Sequence, residues 1–113
     1  MRMSLSEMGE AVGAINAEKG WSFKEDEIPE KLMLMVTEIS EIMEEYRRLD
    51  PWGSPALVYH KDGKPEGIPI ECADLFIRLL HFCHTLGIDL EAAFLEKIEF
   101  NKTRPFRHGG LRA

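Results

Sequence analysis

Apolar residues recur along the chain at helical spacing, and four such runs predict four helices separated by short polar or glycine-containing breaks. The first, from about Ser4 to Lys19, carries the stripe Leu5, Met8, Val12 and Ile15. Ser4 and Glu7 have the spacing of a capping box, and Gly20 supplies a stop. Asn16 lies at the margin of the stripe, where an inward amide needs a partner. Trp21 and Phe23 follow in a short acidic connection. Pro29 favours the start of a second helix of about twenty residues ending near Leu49. Its apolar stripe of Leu32, Met35, Val36, Ile39, Ile42, Met43, Tyr46 and Leu49 is expected to face the core.

The third run, Pro69 to Gly87, is apolar around roughly two-thirds of its circumference. Glu71, Asp74, Arg78 and His81 recur at i, i+3, i+7 and i+10 and form its one polar edge. Asp89 caps a fourth helix reaching about Thr103, with Leu90, Phe94, Leu95 and Ile98 for packing and Lys97, Asn101 and Arg104 along one side. Residues 50–68 change character, and the Asp62-Gly63 turn signal predicts a loop or small hairpin there. From about residue 105 a tail carrying Arg107, His108 and Arg112 is expected to stay loose until something anionic binds.

These elements predict an all-α fold: one domain over residues 1–113, built as an antiparallel bundle of four main helices. The third helix is apolar on too many sides for three short partners to cover. The expectation is therefore a core completed by homo-oligomerisation, as a homodimer or homotetramer.

Composition narrows the class of function. A chain of 113 residues with 44% hydrophobic content can build a core, and a net charge of −6 argues against a broad basic surface for extended nucleic acid. It leaves room for a small cationic pocket. No apolar run of membrane-spanning length occurs, and no basic segment followed by an apolar stretch opens the chain, so a cytoplasmic protein without a membrane partner is expected. Cys72 and Cys83 lie about 16 Å apart along one helix, beyond disulfide reach, and are expected to be small buried hydrophobes.

The candidate chemistry lies in the carboxylates. Glu38, Glu41 and Glu45 share one flank of the second helix, which taken alone is also what a solvated acidic face would give. Opposite them stand Glu71 and Asp74. Two antiparallel helices presenting Glu38-x-x-Glu41 and Glu71-x-x-Asp74 can direct four carboxylates into one space, where each like-charged pair at about 6 Å costs roughly 3 kcal/mol. Such a group requires cations or protons. All-oxygen ligands favour Mg²⁺, with Mn²⁺ as its substitute, over Zn²⁺, and Mg²⁺ shares its remaining positions with water and phosphates. Lys97, Asn101 and Arg104 would bind those phosphates from the other side, and His81 is expected to partner a nearby carboxylate.

The ordered set E-x-x-E, a spacer, E-x-x-D and then K-x-x-x-N resembles the MazG-like all-α nucleoside triphosphate pyrophosphohydrolases. The likeness runs from about Trp21 to Gly110. The stretches KPEGIPIECADLFIRLL and LGIDLEAAFLEKIEFNKTRPFRHGG are most similar to a small single-domain group. The resemblance implies Mg²⁺-dependent hydrolysis of a nucleoside triphosphate to the monophosphate and pyrophosphate. It implies Glu38, Glu41, Glu71 and Asp74 as metal ligands and Lys97 and Asn101 as nucleotide contacts, with Trp21 near the base; the inward amide of Asn16, outside the stretch of likeness, is a further candidate for the base pocket. Glu41 is the candidate for orienting or deprotonating the attacking water. A non-catalytic nucleotide-binding or regulatory module, and a phosphoribosyl-ATP pyrophosphohydrolase, are the alternatives.

Overall fold

The structure, a computed structural model, describes residues 2–105; the tail predicted to carry Arg107, His108 and Arg112 lies outside the described residues. The described chain is mostly helical: α1 (Leu5–Lys19), a 3-10 turn (Glu25–Glu27), α2 (Ile28–Arg48), a hairpin of β1 (Tyr59–Lys61) and β2 (Lys64–Glu66), α3 (Ile68–Thr85) and α4 (Leu90–Lys102).

Local chemistry sets the boundaries. The Ser4 hydroxyl accepts from the Glu7 amide at 3.1 Å while the Glu7 carboxylate accepts from the Ser4 amide at 3.0 Å, which closes the capping box of α1. Gly20 ends α1 in the left-handed region. Pro29 and Pro69 sit in the first turns of α2 and α3, where no intrahelical donor is required. Asp89 caps α4 by accepting from the Ala92 amide at 3.0 Å. In the hairpin, Asp62 and Gly63 both take positive φ, as a two-residue turn matched to strand twist demands, and Tyr59 pairs with Glu66.

Packing is uneven. α2 and α3 form the principal pair, α1 lies against α3, α4 leans on α1, and β2 abuts α3. The closely buried apolar centre consists of Phe23, Leu80 and Cys83, with Phe23 stacked on Phe82 at 6.1 Å between ring centroids. Asn16 is buried, as its inward position predicts.

Three expectations need correction. On α2, Leu32, Val36, Ile39, Met43 and Tyr46 are each about half exposed. The line that meets α3 runs instead through the half-buried Met35, Ile42 and Leu49 and includes Glu38 and Glu45. Adjacent apolar stripes on one helix differ by about one residue's rotation, roughly 100°, and this chain uses the more polar one for its own packing. Cys72 is exposed, and only Cys83 is buried. Among the described residues His81 has no carboxylate partner; it packs edge-on against Phe23, with ring centroids 5.3 Å apart.

The consequence for the whole chain is an open surface. Its accessible area is 9139 Å² at 12.9 kDa, whereas a compact monomer of that mass exposes about 6,300 Å². The radius of gyration, 17.1 Å, likewise exceeds the ~13 Å expected for this length.

Candidate metal centre

The α2/α3 seam is the place where charged side chains are forced together. Glu38 sits on the line of α2 that also carries Met35 and Ile42, so a helix packed through those residues turns Glu38 toward α3. From α3, Glu71 and Asp74 project one turn apart toward the same seam. Oxygens from Glu38, Glu71 and Asp74 lie within 4.8 Å of one another. A second set, Glu45, Glu66 and Glu71, meets the same limit, so Glu71 belongs to both.

Electrostatics agrees with the geometry. Partial burial, followed by the charges of Asp74, Glu38, Glu41 and Glu45, pushes the Glu71 carboxyl above its ordinary value. Asp74 is raised by partial burial and by Glu38, against the opposing pull of Arg78, Lys64 and a hydrogen bond with Glu71. Both groups therefore hold protons more tightly than isolated carboxylates do, and a divalent cation would remove the same repulsion. Arg78 supplies part of the compensation: its Nε donates to Glu38 Oε1 at 2.7 Å. The buried Glu45 accepts from the Tyr59 hydroxyl at 3.1 Å, which ties the hairpin to α2.

The remaining predicted residues are distributed unequally. Glu41 is exposed and outside the two converging sets; its charge reaches Glu71. Trp21 is exposed, and its amide donates to the Asn16 carbonyl at 2.7 Å at the end of α1. The Trp21 backbone lies near His81 and raises its pKa against the larger lowering by burial. Lys97, Asn101 and Arg104 are exposed on or just beyond α4, which packs chiefly against α1, and Lys97 rests over its neighbour Phe100 with Nζ 4.9 Å from the ring centroid. Within one chain the structure does not bring these three to the carboxylates.

Glu45 and Glu66 were missed as participants. Glu45 is at i+7 from Glu38, a spacing that marks the same face. Glu66 had no sequence signal, because its approach depends on how the hairpin folds back on α3.

The donor set of Glu38, Glu71 and Asp74 could hold a metal ion: it is all carboxylate and half-buried to exposed, and all-oxygen sets in general suit hard cations. No described helix is long and apolar enough to cross a membrane. No protein-family model, curated protein or solved structure matches this chain.

Proposed function

We propose that the chain is a Mg²⁺-dependent nucleoside triphosphate pyrophosphohydrolase. The observation that carries this reading is the convergence of Glu38, Glu71 and Asp74 from two antiparallel helices, with two of the three carboxyls pushed toward protonation. Mg²⁺ at these residues would neutralise a polyphosphate and acidify a bound water. Glu41, outside the tight set but beside it, is suited to accept a proton from that water through a modest side-chain movement. Arg78, anchored on Glu38, offers positive charge on the edge of the centre.

The proposed protein works as a homo-oligomer, a homodimer at least. Leu32, Val36, Ile39, Met43 and Tyr46 follow one another at spacings of four and three along α2, the pattern of a helix-pairing seam, and all are exposed. For Lys97, Asn101 and Arg104 to meet a polyphosphate at the carboxylates, they must come from α4 of a second copy or from a rearranged α4.

A pyrophosphate-release screen across canonical and modified nucleoside triphosphates with Mg²⁺ tests the activity. Release from at least one substrate, abolished by chelation, is expected. Nucleotide binding without turnover across the whole set would favour a regulatory module instead.

A further inference from the structure

The α2/α3 seam changes sign along its length. Its hairpin end gathers Glu45, Glu66 and Glu71, its middle Glu38 and Asp74, and the end near Phe23 gathers cations. There a small pocket of about 30 Å³ is lined by Phe23, Lys31, Arg78, His81 and Phe82. Lys31 Nζ lies 5.6 Å from the centroid of the Phe23 ring. Arg78 gives its Nε to Glu38 and keeps its terminal nitrogens for another acceptor. Burial first, and then the Lys31 and His84 charges with a contribution from Arg78, lower the pKa of His81.

We infer that this pocket binds the terminal phosphoryl group of the substrate, and hence one end of the pyrophosphate product, through Lys31 and Arg78, with His81 in its wall; the assignment rests on the pyrophosphohydrolase reading above. Three features select a phosphoryl group over a base. The pocket, about 30 Å³, is too small for a nucleobase and admits the oxygens of one phosphoryl group, with the rest of a phosphate chain lying at its mouth. Its polar walls offer donors from the Lys31 ammonium and the Arg78 guanidinium, groups that recognise phosphate oxygens. It also lies one to two helical turns along the seam from the carboxylates, ~5–10 Å, a distance that a triphosphate chain spans. Phe23 and Phe82 exclude water from one side and strengthen each charge-assisted hydrogen bond.

Isothermal titration of the full chain with inorganic pyrophosphate at saturating Mg²⁺ tests the pocket, using the parent, Lys31→Met and Lys31→Arg. Methionine keeps an apolar stem over Phe23 and removes the charge. Pyrophosphate affinity should fall about tenfold or more in Lys31→Met and largely return in Lys31→Arg, while Mg²⁺ alone binds all three equally. Unchanged pyrophosphate affinity in Lys31→Met overturns the assignment, as does a loss that arginine fails to restore, which would trace it to packing on Phe23. Competition by a phosphate-free nucleoside that depends on Lys31 would place the base here and overturn it too. If Mg²⁺ alone fails to bind the parent yet Lys31-dependent pyrophosphate binding persists, the metal centre fails and the phosphate pocket stands.

Discussion

Asp74 and Glu71 are the residues on which the metal reading can be separated from ordinary helix-surface charge. Asp74 is half of a like-charged neighbourhood, and Arg78 forms its ion pair with Glu38. Replacing Asp74 with Asn should therefore remove repulsion without orphaning a cation. At fixed protein concentration, the metal-free variant should melt at or up to ~3 °C above the parent, as expected of a partly exposed site. Mg²⁺ should raise the parent's melting temperature by mass action and have little effect on the variant. A metal-free Asp74→Asn protein that melts several degrees lower would mean that Asp74 holds the fold together.

The same two residues set a pH dependence. The folded-state carboxyls of Glu71 and Asp74 are raised above their unfolded values, so the folded state binds protons more tightly than the unfolded one. Their destabilising contribution is fully present above the folded values. It is relieved as pH falls through the raised values toward the ordinary carboxylate range, and below that range nothing more is gained. Glu7 opposes this weakly, because its capping bonds lower its pKa and their benefit is lost on acidification. In chelator, the parent should gain stability on mild acidification from neutral pH, and Asp74→Asn should gain less. Equal pH profiles for the two proteins would count against the coupled cluster.

At the scale of elements, much of the chain could be read from its sequence because the signals were local. The capping box at Ser4, the stop at Gly20, the prolines opening α2 and α3, and the Asp62-Gly63 turn each depend on residues within a few positions of one another. The face of α2 was not legible in the same way. Two apolar stripes sit side by side on it, and hydrophobicity favours the one through Leu32, Val36, Ile39, Met43 and Tyr46. The chain packs through the one that includes Glu38 and Glu45, where Glu38 meets Arg78 of α3 and Glu45 meets Tyr59 of the hairpin. Glu38, Glu71 and Asp74 were recognisable as a group because helical spacing aligned them. Glu66 and the Lys31 pocket depend on tertiary placement, which no local pattern encodes.

The exposed stripe makes a prediction for this element. Ile39→Glu puts a charge in the middle of the α2 seam while leaving the Met35, Ile42 and Leu49 contacts intact. By light scattering at micromolar concentration the parent should weigh at least twice its 12.9 kDa chain mass, and the variant should shift toward the single-chain mass while staying helical by circular dichroism. A parent that is already monomeric would remove the second copy from the account.

For the molecule as a whole, the open surface and the polarised seam belong to one picture. A small acidic chain leaves an apolar stripe of α2 exposed and concentrates charges between two helices, with carboxylates toward the hairpin and cations toward Phe23. In the proposed reaction this seam, loaded with Mg²⁺, splits a nucleoside triphosphate between its α and β phosphorus atoms. Phosphorus-31 NMR of the reaction mixture follows that event directly, using a triphosphate active in the release screen and running the parent beside Glu71→Gln, which alters the carboxylate common to both acidic sets. The account predicts that the parent yields monophosphate and pyrophosphate in equal amounts, only with Mg²⁺, and that Glu71→Gln slows the reaction by at least about a hundredfold, as loss of a few kcal/mol of transition-state stabilisation does. Diphosphate and orthophosphate as products, or a Glu71→Gln protein as active as the parent, would contradict it.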